Sequence, residues 1–286
     1  NEELAATAIS GTQMLDTYPH SRVDGVVALW YGKGPGVDRS GDALKHGNFA
    51  GTSRHGAVVV LSGEDHEAKS STMPYQDDYA FLSAGIPILY PASTGEFLTL
   101  GLHAIQMSRL SGCWVAMKLV GALADGGETV EVGPDRPAIV IPEVTIGGRP
   151  FRKSTDFTFF PGLNIETERR LFYERHQAVL AYARANRLDR VEVRSSEDRL
   201  GIITAGKSYA DTLQALGDFG LDRATLQSLG VRLLRIGLIY PVDQDLIRDF
   251  ARDLDEIIVI EEKRGFLEAQ VKEALCGLPR GVRVVG

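Results

Sequence analysis

Short apolar runs alternate with longer segments of helical periodicity along most of the chain. In the first part, the pattern predicts buried strands at 24–31, 56–62, 86–90 and 113–119, and helices at 2–15, 41–49, 75–84 and 95–110. In the second part, it predicts strands at 201–205, 233–239 and 257–261, and helices at 168–184, 208–216, 244–253 and 266–275. Continuous apolar strands joined by helices are typical of parallel sheets covered on both faces. The pattern therefore predicts an α/β fold with two doubly wound parallel-sheet domains.

Length and charge support a division into two domains. A chain of 286 residues is long enough to form two cores. The segment 148–166 is rich in aromatic, proline and glycine residues without a regular period, which is typical of a linker. We therefore expect one domain over 1–147 and a second over 167–286. Residues 1–147 carry nine Lys and Arg against 17 Asp and Glu, whereas residues 148–286 carry 22 against 21.

Composition excludes several classes of protein. No apolar run approaches the roughly 18–20 residues of a membrane span, and the net charge of −7 argues against a nucleic-acid partner. The two cysteines, Cys113 and Cys276, exclude a disulfide scaffold and favour a reducing cytoplasm. They are too few to hold an iron–sulfur cluster, and no ligand spacing predicts a metal site. The chain opens without Met or a signal-like segment, so we expect it to be part of a longer protein.

One motif match conflicts with the strand pattern. Residues 201–208 (GIITAGKS) satisfy the P-loop pattern G-x-x-x-x-G-K-[ST]. In a P-loop the variable positions form a loop whose amides surround a phosphate, after a strand has ended. Here those positions are apolar and form the predicted strand, so we interpret 206–208 as a tight turn in which Ser208 caps the next helix. A nucleotide-binding protein that uses Lys207 and Ser208 stays an alternative.

Two segments rich in glycine, charge and histidine follow the first two predicted strands. Residues 30–42 (WYGKGPGVDRSGD) predict a loop whose alternate glycines permit close approach of a ligand. Residues 63–72 (GEDHEAKSST) predict a second loop at the carboxyl end of a strand, the sheet edge where ligands bind in open α/β proteins. Two solvated polar loops are the alternative interpretation. Residues 1–6 (NEELAA) indicate a helix start, with Asn1 as cap and acidic residues in the first turn.

Several segments taken together resemble a known family. They are 30–42, 45–48 (KHGN), 51–56 (GTSRHG), 65–72, 111–115 (SGCWV), 201–209 and 259–264 (VIEEKR). These motifs are similar to those of indolepyruvate ferredoxin oxidoreductase in its long, fused bacterial form, within the 2-oxoacid:ferredoxin oxidoreductase family. The resemblance extends over essentially the whole chain.

This resemblance implies a thiamine diphosphate enzyme that oxidatively decarboxylates an aryl 2-oxo acid such as indolepyruvate and passes electrons to ferredoxin. The first domain would be the pyrimidine-type cofactor-binding domain, and the second would be a transketolase C-terminal-like domain that binds no cofactor. Glu2 would be the catalytic glutamate that hydrogen-bonds N1′ of the aminopyrimidine and favours its imino form. Lys33 and Gly34 would be further cofactor-binding residues, and His46, His66 and Lys69 are candidates for binding substrate.

Parts of the family pattern are absent from this chain. It has no Gly-Asp-Gly…Asn pattern for magnesium and the diphosphate, and no cysteines of the ferredoxin type for iron–sulfur clusters. By comparison with the family, we expect the opening βα unit of the first domain to be missing. The resemblance therefore implies that the chain works as a homodimer with further domains or subunits, and that it is inactive alone. Glu64, Tyr75 and Tyr90 depart from the family's residues and leave the 2-oxo acid open. A non-catalytic α/β assembly module is a third possibility.

Overall fold

The computed structural model describes residues 1–133, 137–158, 160–278 and 281–286. The chain forms two compact units. Unit 1 comprises Asn1–Leu89 and Thr94–Asn186, and unit 2 comprises Tyr90–Ser93 and Arg187–Gly286. Within the described residues, no helix combines the length and the apolar character that crossing a membrane requires.

Unit 1 is built on a parallel sheet. Its strands are β1 (Val27–Lys33), β2 (Ala57–Glu64), β3 (Ile88–Leu89), β4 (Val115–Val120), β5 (Thr145–Ile146) and β6 (Arg149–Pro150). Its helices are α1 (Glu2–Thr12), α2 (Gly34–Ala50), α3 (Asp78–Ala84), α4 (Glu96–Ser111), α5 (Gly121–Ala124), α6 (Leu163–Arg170) and α7 (His176–Ala185), with a 3₁₀ turn at Leu15–Thr17 and a π-helical turn at Leu171–Arg175. The first four strands lie in the order β1-β2-β4-β3, all parallel, and β5 pairs with β6 antiparallel. Burial of both faces of β2 over 57–60 explains its unbroken apolar sequence.

The glycine-rich segment after β1 is a helix start, and the prediction of a long loop there is wrong. Helix α2 begins at Gly34, with Pro35 in its first turn. Proline is favoured at that position because its missing N–H has no partner in the first turn and its φ suits a helix. Glycine at these positions allows close packing. A Cβ at Gly34 would lie 2.1 Å from the Tyr75 ring, and one at Gly36 would lie 3.0 Å from Cγ of Glu2.

The helices of 163–185 pack within unit 1, so the compact units divide at 186/187, beyond the predicted linker of 148–166. Arg175, which is buried, shows why these helices pack there. Its guanidinium donates to the carbonyls of Asn48 and Phe49, at 3.0 and 3.1 Å. A helical pattern in the sequence shows that a helix forms but not which sheet it covers.

Unit 2 contains a second, mostly parallel sheet. Its strands are β7 (Arg190–Val193), β8 (Leu200–Ala205), β9 (Val231–Ile236), β10 (Leu238–Tyr240), β11 (Glu256–Ile260) and β12 (Arg283–Val285), and its helices are α8 (Gly206–Asp218), α9 (Arg223–Ser228), α10 (Gln244–Ala251) and α11 (Leu267–Leu275). Five of these strands form the sheet, in the order β12-β11-β8-β9-β7, parallel except for β7, and β10 lies outside it. The sequence analysis missed β7, β12 and α9. The short, charged strands at the two sheet edges carry no apolar run to reveal them.

The P-loop-like segment forms a strand followed directly by a helix. Strand β8 ends at Ala205 and helix α8 begins at Gly206, so the four variable positions lie in the sheet and the strand interpretation is confirmed. Gly206 has φ +50° and packs so closely on Tyr90 that a Cβ would overlap its ring. The predicted cap is wrong, because Ser208 is buried in the helix and no side chain caps α8. Lys207 pairs with Asp211 one turn later.

Candidate functional site

The site begins at the first turn of α1. Asn1 caps the helix, its Oδ1 accepting from the amide of Leu4 at 3.2 Å, so the predicted cap is confirmed. Glu2 is half-buried, and its backbone carbonyl accepts from the indole N–H of Trp30 at 2.9 Å. Its side chain lies against Gly36 in the first turn of α2. The partial positive charge at that helix N-terminus favours a carboxylate beside it.

Glu2 lines an open cavity of about 650 Å³. The lining residues are Asn1, Glu2, Ala5, Ile9, Leu29, Trp30, Tyr31, Gly32, Lys33, Leu61, Gly63 and Leu119. Lys33 and Gly63 stand at the carboxyl ends of β1 and β2, the edge where open α/β sheets bind ligands. In the part of the chain that the structure describes, the carboxylate of Glu2 has no hydrogen-bond or ion-pair partner. The cavity therefore combines an apolar wall with one available carboxylate and one lysine.

Lys33 connects this cavity to the polar loop that follows β2. Its Nζ donates to the carbonyl of Ser70 at 2.5 Å. The loop is folded around Asp65, whose carboxylate accepts from the amides of Lys69 and Ser70 at 2.9 and 2.5 Å. These backbone hydrogen bonds lower the pKa of Asp65, and the one from Ser70 has the largest effect. The loop therefore has a defined conformation beside the rim of the cavity.

A buried charge cluster, formed by Glu64, His66, Asp77, Asp78 and Lys118, lies at the carboxyl ends of β2 and β4. Nζ of Lys118 is 2.8 Å from Asp78 and 3.3 Å from Glu64. Nε2 of His66 is 2.7 Å from the same Glu64 oxygen, and the amide of Asp77 donates to the other oxygen at 3.1 Å. Glu64 and Lys118 are 1% and 4% exposed, so these interactions are screened little by solvent.

The pKa values of the three carboxyl groups in this cluster are shifted in different directions. Burial opposes ionisation of Glu64, but Lys118 and His66 outweigh it and lower the pKa of that carboxyl. Burial and the nearby Glu64 charge raise the pKa of Asp77 to about 7, although its Oδ2 accepts from the hydroxyl of Ser62 at 2.6 Å. Burial also raises the pKa of Asp78. Asp77 therefore keeps its proton up to near neutral pH. The cluster adjoins the Glu2 cavity, because Gly63, which lines that cavity, precedes Glu64 in β2.

The structure brings together some of the predicted site residues. Glu2 and Lys33 line one cavity, and His66 belongs to the buried charge cluster beside it. Lys69 is exposed, and its ammonium lies 2.9 Å from Glu67, whose hydrogen bond raises the pKa of Lys69. Gly34 is buried against Tyr75 and does not line the cavity.

His46 lies away from the cavity. It follows Gly34 by twelve residues on α2, or about 18 Å along the helix axis. Its Nδ1 lies 2.9 Å from the carbonyl of Asp42 and 3.3 Å from the carboxylate of the same residue.

Sequence reasoning missed several residues of this region. Gly36 was assigned to a loop, although it lies in a helix where a Cβ would come within 3.0 Å of Cγ of Glu2. Lys118 was assigned only to an apolar strand, and Asp77 and Asp78 only to the start of a helix, so none of the three was identified as a site residue. A lysine inside the run VAMKLV of β4 was the available signal, because a buried lysine needs a carboxylate partner.

Two solved structures share the fold of this chain. A 2-oxoglutarate:ferredoxin oxidoreductase from Magnetococcus marinus matches with a TM-score of 0.61 and 14% identity, over 98% of this chain and 52% of that one. A split-gene transketolase matches with a TM-score of 0.55 and 14% identity, over 100% of this chain and 70% of that one. The predicted fold class is thus confirmed: parallel-sheet α/β domains of the thiamine-type and transketolase C-terminal-like kinds.

Sequence comparison finds similarity to indolepyruvate oxidoreductases. Residues 190–286 match the family model described as the indolepyruvate oxidoreductase domain. The indolepyruvate oxidoreductase subunit IorA of Methanothermobacter marburgensis is 25% identical over 258 residues, covering 90% of this chain and 39% of the relative. IorA of Pyrococcus abyssi is 26% identical over 278 residues, covering 91% and 38%.

These matches confirm the resemblance to indolepyruvate-type 2-oxoacid:ferredoxin oxidoreductases. The chain spans about two-fifths of the length of the relatives, which are named as subunits. The fused architecture suggested by the sequence stays a prediction.

Proposed function

We propose that this chain is the part of a 2-oxoacid:ferredoxin oxidoreductase that presents a glutamate, Glu2, to the aminopyrimidine of thiamine diphosphate. The substrate we propose is an aryl 2-oxo acid such as indolepyruvate. The single observation that carries the proposal is the position of Glu2. Its carboxylate lines a cavity, lies against a glycine and has no partner within the described part of the chain. The IorA relatives supply the oxidoreductase class.

The cavity fits an aminopyrimidine in chemistry and size. Leu29, Leu61 and Leu119 offer an apolar wall for an aromatic ring, and Glu2 offers one carboxyl to a ring nitrogen. When bound, thiamine diphosphate supplies a carbon nucleophile that adds to a 2-oxo acid and permits loss of CO₂. Glu2 would orient the ring and hold a proton at N1′. Since Lys33 lies on the same cavity, it would place a positive charge near the cofactor or the substrate.

The remaining parts of the enzyme are proposed to lie outside this chain. They are the magnesium and diphosphate site, the iron–sulfur clusters, the domains that hold them, and ferredoxin as electron acceptor. We also propose that the enzyme is a cytoplasmic homodimer. Within this chain, His66 and Lys69 stay candidates for binding the substrate, because the loop that carries them is joined to Lys33.

The test of the proposal is Glu2→Gln in the complete enzyme. The amide has nearly the same shape but cannot exchange a proton at N1′, so indolepyruvate-dependent ferredoxin reduction is expected to fall about 100-fold or more. Glu3→Gln is the matched control, since Glu3 is exposed in the same helical turn, and it should leave turnover unchanged. Full turnover in Glu2→Gln would overturn the proposal and favour a non-catalytic assembly module.

A thermal-shift titration with thiamine diphosphate and magnesium separates binding from chemistry. A ligand at 100 times its Kd stabilises a protein by about 2.7 kcal/mol. We expect a clear shift of the melting temperature for the complete enzyme and little shift for this chain alone, because the diphosphate site is proposed to lie elsewhere. An equal shift for both would contradict that division of the site.

A further inference from the structure

A second cavity, of about 750 Å³, lies in unit 1 at the opposite edge of the sheet from Glu2. We call it the cationic cavity. Its walls come from the segment before β2, the end of α4 and the strap 151–158. Its lining residues are Asp16, Thr52, Arg54, His55, Gln106, Arg109, Leu110, Ile141, Arg152, Lys153, Ser154 and Thr155. Residues 52–55 precede β2 and Arg109 precedes β4, so this cavity lies at the amino ends of the strands.

The charge of the cationic cavity is opposite to that of the surrounding sequence. The lining contains three arginines, Arg54, Arg109 and Arg152, and one lysine, Lys153, whereas Asp16 is the one acid among the lining residues. By contrast, residues 1–147 carry nine Lys and Arg against 17 Asp and Glu. One oxygen of Asp16 already accepts from the backbone amide of Arg54 at 2.9 Å. The cations therefore greatly exceed the local negative charge.

The guanidinium groups of the three arginines have N–H donors that are not used by carboxylates within the described part of the protein. Across the described ranges, the guanidinium groups of Arg54 and Arg152 have no carboxylate within ion-pair distance. Arg109 donates from Nε to the carbonyl of His55 at 3.2 Å. This hydrogen bond restrains the side chain of Arg109. A guanidinium has five N–H donors, and its planar fork matches phosphate oxygens in a bidentate manner. Most of these donors are available to a ligand.

The strap that carries two of the cations is held firmly against unit 1. Nζ of Lys153 donates to the hydroxyl of Thr52 at 2.8 Å and to the carbonyl of Gly56 at 3.1 Å. Arg175 donates to the carbonyl of Ser154 at 2.9 Å. This wall is therefore formed before any ligand binds, which lowers the entropy lost on binding. Burial, with the nearby Arg109 and Arg175, lowers the pKa of Lys153 to about 7, and a bound anion would favour its charged form.

We propose that the cationic cavity binds a small phosphorylated anion that carries at least two phosphate groups. Cations contributed by three separate segments around about 750 Å³ are spread too widely for one phosphate to neutralise them. The concave shape favours a small molecule over an extended nucleic acid, for which charge would have to continue along a surface. Leu110 and Ile141, which also line the cavity, would contact an organic group attached to the phosphates.

Calorimetric titration of the full chain with inorganic pyrophosphate, without magnesium and at low salt, tests this proposal. We expect saturable binding with a Kd below about 1 mM, weaker binding of orthophosphate, and loss of affinity as salt is added. The variant Arg54→Gln/Arg152→Gln should raise the Kd for pyrophosphate about tenfold or more, because charge-assisted hydrogen bonds are lost. Both side chains are exposed, so the variant should keep the melting temperature of the wild type.

Arg22→Gln/Arg39→Gln is the matched control, since it also removes two exposed arginines but none from the cationic cavity. It should leave the Kd unchanged. Equal weakening in the two double variants would show non-specific attraction and overturn the proposal. Absence of saturable binding would overturn it as well. Neither result depends on Glu2, so the proposed function is judged separately by the activity of Glu2→Gln.

Discussion

Glu2 in unit 1 and Glu261 in unit 2 both lie near the start of a helix, but their carboxylates are used differently. Glu261 follows β11, and its carboxylate accepts from the amides of Phe266, Leu267 and Glu268 at 3.0, 2.8 and 2.9 Å. Those donors would otherwise lack partners at the start of α11. Glu2 lines a cavity with its carboxylate unpartnered in the described part of the chain. A carboxylate whose oxygens are occupied by backbone amides is structural, whereas one with unused acceptors beside a cavity is available to a ligand.

Buried ion pairs show the same difference between the two units. In unit 2, Asp198 pairs with Arg232 at 2.8 Å, and the arginine also donates to the carbonyls of Phe250 and Arg252. This closed arrangement lies where β9 begins. In unit 1, Lys118 serves two carboxylates at the carboxyl end of the sheet, and one oxygen of Asp78 is buried without a hydrogen bond in the described part of the chain. The second arrangement is the less completely satisfied, as expected beside the candidate site.

The largest expected effect comes from removing the shared cation of the buried charge cluster. Lys118→Met leaves Glu64 and Asp78 buried without it, so we expect the free energy of unfolding at pH 8 to fall by about 3–5 kcal/mol. Lys207→Met removes a surface pair with Asp211 in unit 2 and should cost less than about 1 kcal/mol. Urea unfolding of both variants measures the difference. Similar losses would show that the charge cluster is no more important to stability than a surface pair.

A pH-dependent gain is expected for Asp77→Asn. The raised pKa of Asp77, about 7 against 3.8, means that the folded chain keeps a proton which the unfolded chain has released. The stabilisation from this carboxyl is thus full below pH 4 and is lost as the pH rises to 7. The asparagine side chain does not ionise, so the variant does not lose this stabilisation as the pH rises, and its oxygen still accepts from the hydroxyl of Ser62. The variant should therefore be more stable than wild type at pH 8, by at most about 4 kcal/mol.

Urea unfolding at pH 5 and pH 8 measures this gain, which should be smaller at pH 5. Asp24→Asn is the control, because Asp24 is exposed, and its effect should be the same at both values. A gain for Asp77→Asn that does not grow with pH would show that the carboxyl is ionised in the folded chain.

The smallest expected effects compare the two glutamates directly. Glu261→Ala leaves three amides at the start of α11 without their acceptor, and loss of such a cap costs about 1–2 kcal/mol. Glu2→Ala removes no hydrogen bond made by its side chain within the described residues and should change stability by less than about 0.5 kcal/mol. Thermal unfolding of the two variants decides between the roles. A larger loss for Glu2→Ala would identify Glu2 as structural.

Much of the fold could be predicted because its signals are local. The apolar runs that form β2, β4 and β8 report burial directly, and the same burial places Trp30 and Trp114 in the core, at 1% and 0% exposure. The candidate site was less predictable. Glu2 and Lys33 were identified through the resemblance, but His46 was placed with them although α2 carries it away from the cavity. Sequence spacing does not show where a helix begins, and that start sets the direction of each later side chain.

Local sequence is sufficient to specify the alternation of strands and helices, the cap of α1 and the strand that replaces a phosphate-binding loop at 201–208. These properties depend on neighbouring residues and on whether a segment is buried. Which polar and charged side chains come into contact depends on the packing of the whole fold. Nζ of Lys118 donates a hydrogen bond to Asp78, forty residues earlier in the chain, and Nζ of Lys153 donates one to Thr52, 101 residues earlier. Such pairs form because the fold buries both partners in one place, where an unpaired charge is costly. The local sequence does not indicate that residues so far apart in the chain will be in contact.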